Sequence, residues 1–511
     1  MSKSQREKGI MLSYLTMAVN FVIGIFFTKL ITKMLGQSEM GLYNTTSSII
    51  TFMTMLDLGF GNSMIRFNAR YRAQGDTEGE AKLNGMFLVM FSAVSVIAII
   101  IGLVIYFNIE PFFTKFTPQE IERAKIIFII MLVNICVSFP FTAVTALLTS
   151  YERFVFLRSY NLIKNVVNYG LQAVVLCVGF KSIGLAVASV SVSVISKIVP
   201  IVYMKRHMKV AFSFGKIDRR MFRDVISYSS FIFINLVVDQ LYANTDKVIL
   251  GKFVGTASVA IYGVAANLNK DAGEFAVAIS GVFLPNITKL ITKQTPMRDI
   301  SAIFIRISRM QFLLLSFIFG GFLIFGRRFI HFWVGDEYMD SYLIALILML
   351  PGLISLSQSL CVSVIQAMNK HRFRSVMYLL IAVINIGISI PLSIKWSGAG
   401  AAVGTLIGNF LGQILLMNWY YHRKIGLDIP RYWRYVVLRI GVVVAAYTAL
   451  GYFVNHMLPA PSLLMLLARI AVYSLLFLPV LWYVIFNDEE KTMVKEKLSP
   501  IIKKLSFTRS K

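Results

Sequence analysis

Charge is the first thing this sequence is short of. Asp, Glu, Lys and Arg make up 15% of its 511 residues, where a soluble domain carries about a quarter. Acidic residues are scarcer still, with 25 Asp and Glu against 51 Lys and Arg and a formal net charge of +26. Cysteine is nearly absent. Cys136, Cys177 and Cys361 lie inside apolar runs without CxxC spacing, which excludes a disulfide framework or a thiolate metal site. The five histidines, His207, His331, His371, His422 and His456, fall in or beside loops with no metal-ligand spacing. No GxxxxGK[ST] phosphate loop occurs, so ATP is excluded as the direct energy source.

What is present is apolar. Hydrophobic residues make up 57% of the chain and the mean hydropathy is +0.70. A soluble fold cannot hide that much apolar surface, so the class is an all-α polytopic membrane protein. The N-terminal "MSKSQREKG" is polar and basic. The apolar run after it is too long for a signal-peptide core and reads as a retained first transmembrane helix.

A bilayer crossing needs about 20 mostly apolar residues, and that ruler gives about fourteen segments: 10–33, 41–65, 83–107, 122–149, 160–179, 184–204, 224–250, 257–287, 303–326, 341–367, 376–394, 399–420, 435–455 and 462–486. With the N-terminus inside, the inner segments hold about thirty Lys and Arg and the outer loops roughly six, the asymmetry expected of cytoplasmic loops. An even count places both termini in the cytoplasm. The positive charge is thereby accounted for without nucleic acid, for which no soluble basic domain exists. No outer loop exceeds about 20 residues, too short for an extramembrane catalytic domain.

Short stretches recur. "KMLGQSEMGLY" (Lys33–Tyr43) and "KFVGTASVAIY" (Lys252–Tyr262) share Lys, Gly and Tyr at one offset. Nearly the same offset pairs "SIGLAVAS" (Ser182–Ser189) with "GAGAAVGT" (Gly398–Thr405), and Asn168–Gly170 with Asn385–Gly387. The chain therefore reads as two six-helix lobes in parallel repeat, residues 1–210 and 211–425, then two further helices over 426–486 and a cytoplasmic tail over 487–511. The connectors read as outer hairpin turns. Gly36 and Gly255 supply backbone freedom, Tyr43 and Tyr262 are expected at the outer interface, and Lys33 and Lys252 reach the surface. Gly400, Gly404, Gly408 and Gly412 form a stripe that lets another helix approach, within its own bundle or as a sliding surface.

The segments "DQLYANTDKVILGKFVGTASVAIYGVAANL" (Asp239–Leu268), "FLPNITKL" (Phe283–Leu290) and "LGQSEMGLYNTTSSIITFMTMLDLGFGNSMIRF" (Leu35–Phe67) resemble polysaccharide (O-antigen, Wzx-type) flippases. Those belong to the multidrug/oligosaccharidyl-lipid/polysaccharide exporter superfamily. The resemblance covers essentially the whole chain. It implies a V-shaped transporter that alternates between inward- and outward-open states, and a cargo of lipid-diphosphate-linked oligosaccharide.

Ionisable groups deep in a membrane are candidates for function. Asn267, Lys270, Asp271 and Glu274 share a helix face in segment 8 by their spacing of three and four. Lys270 is a candidate for the cargo diphosphate, and Asp271 and Glu274 for coupling by H⁺ or Na⁺; an internal ion-pair cluster that fixes packing is the plainer reading. Segment 7 carries Asn235, Asp239 and Asp246, the last placed to pair with Lys247 or Lys252. Similar lipid-carrier flippases hold Na⁺ between an acidic residue on helix 7 and polar residues on helix 11, which by resemblance points to Asp239 and Asn385. Lys164, Lys197 and Arg66, with Arg306 and Arg309 from the second lobe, are candidates for a cationic cavity, although snorkelling also explains Lys164 and Lys197. Asp57 is expected to pair with a neighbouring basic residue, and Arg469 stands alone in segment 14.

The expected function is a flippase that moves a polyprenyl-diphosphate-linked glycan, a polysaccharide repeat unit such as an O-antigen unit of lipopolysaccharide, across the bacterial plasma membrane. Its partners are the lipid-linked glycan, membrane lipids and other polysaccharide assembly proteins. A cation-coupled multidrug exporter is the alternative within the superfamily. A membrane-embedded glycan polymerase or glycosyltransferase fits less well, because sizeable outer loops and an acidic metal motif are both missing, so no enzymatic activity is expected.

Overall fold

A computed structural model of the chain describes residues 3–215, 219–281, 283–368, 370, 372–457, 462–492 and 495. Of the tail expected at 487–511, residues 493–494 and 496–511 lie outside the described residues, as does His371. Among the described residues there is no strand. The helices in chain order are α1 (Lys3–Met53), α2 (Phe60–Gln74), α3 (Thr77–Phe112), α4 (Pro118–Ser150), α5 (Phe154–Cys177), α6 (Ser182–Ser196), α7 (Ile198–His207), α8 (Arg219–Phe253) and α9 (Thr256–Gly281). There follow α10 (Leu284–Thr292), α11 (Met297–Trp333), α12 (Ser341–Ser355), α13 (Ser359–Ala367), α14 (Arg372–Asn409), α15 (Met417–Tyr420), α16 (Ile429–Tyr432), α17 (Arg439–Met457) and α18 (Leu463–Val480).

Among the described residues, nine helices are long and apolar enough to cross a membrane by length and composition, or ten if the bent pair α12 and α13 is one crossing. Two of them, Thr16–Gln74 with 59 residues and Arg372–Ile425 with 54, are more than twice the length that one crossing needs. Each contains a break. In α1 it is Gly36, at φ 73°; in α14 it is Trp396 and Ser397, the latter at φ 54°. Gly255, between α8 and α9, has φ 128°. Both connector glycines thus adopt backbone angles that a side chain disfavours, which is why glycine recurs there.

The outward faces are apolar. Ile97, Ile100, Val104 and Phe107 of α3 are exposed, as are Leu464, Leu475 and Leu476 of α18, a distribution that suits lipid rather than water. Behind them Leu83, Phe87, Phe91, Val94 and Ala98 of α3 pack with Phe128, Leu132, Ile135 and Phe139 of α4. At the end of α4, Arg72 donates to the Ser150 carbonyl at 2.7 Å and stacks on Tyr151. Tyr151 donates to Glu80 at 2.7 Å; burial and that carboxylate push its hydroxyl up to about 12.

By contact the chain divides into two compact units. One comprises Met1–Asp271 with Leu343–Leu348 and Asn369–Leu415; the other comprises Ala272–Tyr342 with Met349–Met368 and Leu416–Lys511. In the first unit the repeated stretches make repeated contacts. Tyr43 is hydrogen-bonded to Ser189, the last residue of "SIGLAVAS". Tyr262 is hydrogen-bonded to Thr405, the last residue of "GAGAAVGT". Tyr262 is 4% exposed and also donates to Asp246. Each hydroxyl is directed to a partner on another helix, as a buried phenol requires.

The glycine stripe packs against the first half of its own helix. A Cβ at Gly400 would meet the Leu392 carbonyl, one at Gly404 would meet Ser389, one at Gly408 would lie 3.1 Å from Asn385 Cβ, and one at Gly412 would meet Ile381. The two arms of α14 and its continuation thus fold onto each other through glycine, the close approach that small residues permit in lipid. Gly170, by contrast, faces open space. Gly404→Val should lower the thermal midpoint of the detergent-solubilised protein by several degrees, since overpacking costs about 1–3 kcal/mol. Gly170→Ala should leave it unchanged or raise it slightly. A melt followed by tryptophan fluorescence checks both.

Candidate translocation site

The first unit holds one deeply buried polar chain. Asp246 of α8 is 5% exposed. Its carboxylate accepts from the Tyr262 hydroxyl of α9 and, at 2.7 Å, from Thr405 Oγ1 of α14. Thr405 Oγ1 in turn accepts from Asn385 Nδ2 at 3.4 Å, and Asn385 Oδ1 accepts from Ser389 Oγ at 2.9 Å. Asn385, Ser389 and Thr405 are all buried. The donors point along the chain towards one carboxylate, the pattern that stabilises an ionised acid away from water.

Asp239 and Asn385 fall in different surroundings. Asn385 belongs to the Asp246 chain, while Asp239 lies seven residues earlier on α8, exposed, with Arg374 as its neighbouring charge. Seven residues are two helical turns, about 10 Å along the axis. Around Asp239 the two helices meet through Ser375 Oγ donating to Asn235 Oδ1 at 2.7 Å and through the Tyr242 and Tyr378 rings, 6.4 Å apart. Sequence reading passed over Asp246 because Lys247 and Lys252 supply nearby positive charge. The usable signal was Thr405, which ends a repeated motif.

The expected cations fall into distinct groups. Lys197, at the junction of α6 and α7, is buried, and its ammonium donates to Ser138 Oγ at 2.8 Å, Asn134 Oδ1 at 3.3 Å and Ser193 Oγ at 3.4 Å. All three partners are neutral, so the charge is solvated but not cancelled. Lys164 of α5 is close enough to Lys197 for the two ammonium groups to repel. In the other repeat Lys270 of α9 is near enough to repel Lys247 of α8, whose charge is also drawn to the neighbouring Asp246. Arg66 of α2 is exposed and stacks on the Tyr228 ring at 4.2 Å. Asp271 is half-buried and Glu274 exposed, on the same helix as Lys270. Arg306 of α11 is exposed.

Arg309 departs from expectation. It is 6% exposed, and its guanidinium donates to both Glu490 oxygens, at 2.8 and 3.0 Å, and to the carbonyls of Ile485 and Tyr435. A fork so fully occupied has no capacity left for a cargo. It fastens α11 to the last helices and to the turn after them, where Asn487 and Glu490 cap each other. Asp57 also departs. It accepts from the backbone of Gly59 and Gly61 and so caps α2, instead of pairing with a basic residue. Arg469 of α18 reaches Asn455 of α17 at 3.5 Å, a contact between the last two long helices.

With this geometry in place, comparison with known proteins locates the chain. The sequence profile of the family described as "Polysaccharide biosynthesis protein" matches residues 7–291, more than half of the chain. The protein belongs to that family. A curated relative from Shigella flexneri, described as a putative O-antigen transporter, is 21% identical over 413 residues, covering 80% of this chain and 95% of the relative. The fold is similar to that of the lipid II flippase MurJ in an inward closed conformation, with a TM-score of 0.71 at 15% identity over 92% of this chain and 98% of that one. It is also similar to an inward-facing multidrug resistance transporter of the MATE family, with a TM-score of 0.64 at 13% identity over 81% of this chain and 95% of that one. The polytopic all-α class and the resemblance to polysaccharide flippases are thus both shown.

Removing one partner of the Arg309–Glu490 pair should be strongly destabilising. Arg309→Ala strands a buried carboxylate and should lower stability by about 3–5 kcal/mol, while the double replacement Arg309→Met/Glu490→Leu should recover most of the loss. Thermal midpoints of the three purified proteins check the order.

Proposed function

We propose that this family member is a flippase that carries a polyprenyl-diphosphate-linked oligosaccharide from the cytoplasmic to the outer leaflet of a bacterial plasma membrane. One observation carries the reading beyond the family: Lys197 is buried on the neutral oxygens of Asn134, Ser138 and Ser193 with the Lys164 ammonium near enough to repel it, and Lys247 and Lys270 add positive charge in the other repeat. Like charges held together in a membrane protein are costly unless an anion joins them. A diphosphate supplies two or more negative charges on a compact group, and Arg66, exposed in the same unit as these lysines, adds to the attraction. The glycan needs a polar path, whereas the polyprenyl chain stays in lipid. A cationic drug is a poor match for the same lysines, which disfavours the multidrug alternative despite the shared fold. No catalytic role is assigned to any residue.

The proposed topology has fourteen crossings with both ends inside. It takes the nine apolar helices, divides α1 and α14 at their breaks, counts α12 with α13 once, and adds α5 and α9. Residues 1–210 and 211–425 are then the two lobes that rock against each other in alternating access, and the product passes to other polysaccharide assembly proteins outside.

Coupling is proposed at Asp246. Its carboxylate, Thr405 Oγ1, Asn385 Oδ1 and Ser389 Oγ offer only oxygens, the donor set that a hard cation such as Na⁺ requires; a proton on the same carboxylate is the other way to neutralise it. Asp271 and Glu274 stay secondary candidates.

Lys270→Ala should abolish glycan display at the cell surface without changing the amount of protein in the membrane. Wild-type display in that variant would sink the diphosphate assignment. Transport in vesicles should respond to a Na⁺ or pH gradient, and Asp246→Asn should remove the response while Asp239→Asn retains it. The reverse order would place coupling at Asp239.

A further inference from the structure

The two repeated connectors meet at a single carboxylate. Glu120, in the first turn of α4, accepts through Oε1 from Ser38 Oγ at 2.6 Å and from Thr256 Oγ1 at 2.8 Å. Ser38 lies two residues after Gly36, in the first connector, and Thr256 lies one residue after Gly255, in the second. The other oxygen, Oε2, accepts from the Thr117 backbone N–H at 2.9 Å and from Thr117 Oγ1 at 3.1 Å, which closes a capping box at the start of α4. Four donors saturate a carboxylate. The capping half fixes the side chain and places its negative charge where the helix N-terminus favours it. The remaining oxygen faces one hydroxyl from each repeat.

The surroundings are built for the same contact. Gly41 of α1 lies so close to Thr256 that a Cβ would overlap the Thr256 carbonyl. A Cβ on Gly251 would sit 2.9 Å from Thr45 and 3.1 Å from Phe113, and one on Gly263 would sit 2.7 Å from Asn44. The Lys252 ammonium stacks on Phe112 at 4.1 Å. Backbone therefore meets backbone at Gly41 and Thr256, and side chains press on Gly251 and Gly263 beside it, with Glu120 joining Ser38 to Thr256. All these residues belong to the first compact unit.

We propose that Glu120 is the latch that holds the outer side shut while cargo loads from the cytoplasm, and that outward opening requires the Ser38 and Thr256 hydroxyls to leave it. The proposal rests on the flippase reading for its direction, because it takes the connectors to be the outer turns. It assigns Glu120 a positioning role. The carboxylate holds the two repeats together and touches no cargo.

The test measures access rather than transport. In a background without Cys136, Cys177 and Cys361, Asn44→Cys places one thiol beneath the latch, and a membrane-impermeant maleimide is added from the outer face of right-side-out vesicles. With Glu120 intact, labelling should be slow. Glu120→Ala should speed it about tenfold or more, the factor that corresponds to one charge-assisted hydrogen bond. Because Glu120→Ala also removes the helix cap, Ser38→Ala/Thr256→Val is tested beside it; this pair empties the latch and keeps the capping box, and it should give the same acceleration. Unchanged labelling in the double variant overturns the proposal. The assay needs no glycan, so the two readings fail separately. Unchanged labelling with glycan display still dependent on Lys270 removes the latch alone, whereas faster labelling together with wild-type display in Lys270→Ala removes the diphosphate reading alone.

Discussion

A charge inside a bilayer has no water to fall back on, so it must find its partner within the protein or in its cargo. That constraint sorts the ionisable groups of this protein. Glu39 is satisfied by Arg123 and Ser182. Glu490 is satisfied by Arg309 and Asp246 by Tyr262 and Thr405, while Asp57 faces the backbone at the start of α2 with its Oδ1 left without a hydrogen bond. These acids therefore serve as caps, clasps and network ends. Lys197 differs, because it is held by neutral oxygens and is pressed by Lys164. Part of the excess of basic over acidic residues thus lies among the helices.

The internal repeat is visible as chemistry as well as sequence. Both connectors use a glycine at positive φ to turn. Both then send a tyrosine hydroxyl to the last residue of the second repeated motif, Ser189 in one copy and Thr405 in the other. The copies diverge at the next bond. Tyr262 also meets a carboxylate, Asp246, whereas the residue at the matching offset in the first copy is Phe27, which packs edge-on against Tyr169. The contact is uncharged in the first copy, and in the second it includes an ionisable centre.

How much of this was legible beforehand depended on the kind of signal. Helices follow from apolar runs of fixed length, and the recurring stretches from nearly equal offsets, which no tertiary contact can disguise. The glycine stripe was readable because Gly400 to Gly412 recur every four residues, although its partner, the first arm of α14, was not. The partners of single charges were hidden for a physical reason. Asp57 looked like half of an ion pair, but two left-handed residues, Leu58 and Gly59, break the helix there and turn backbone N–H groups towards it. Arg309 looked like a cavity residue, but its partner Glu490 lies 181 positions away. Asp239 and Asp246 sit on one helix two turns apart, and sequence cannot say which of them meets Asn385; the register of α14 against α8 decides that.

The register has a further consequence for how the parts act together. Thr256, which donates to Glu120, and Tyr262, which donates to Asp246, are six residues apart on α9, about 9 Å of continuous helix. Asp246 itself lies on α8, nine residues before Gly255. The carboxylate network and the connector contact therefore share one stiff hairpin, joined at the top by Gly255 and cross-braced by the Tyr262–Asp246 bond. A change of charge at Asp246 alters the hydrogen bond that braces the hairpin. Glu120 and Asp246 thus hold two ends of the same element.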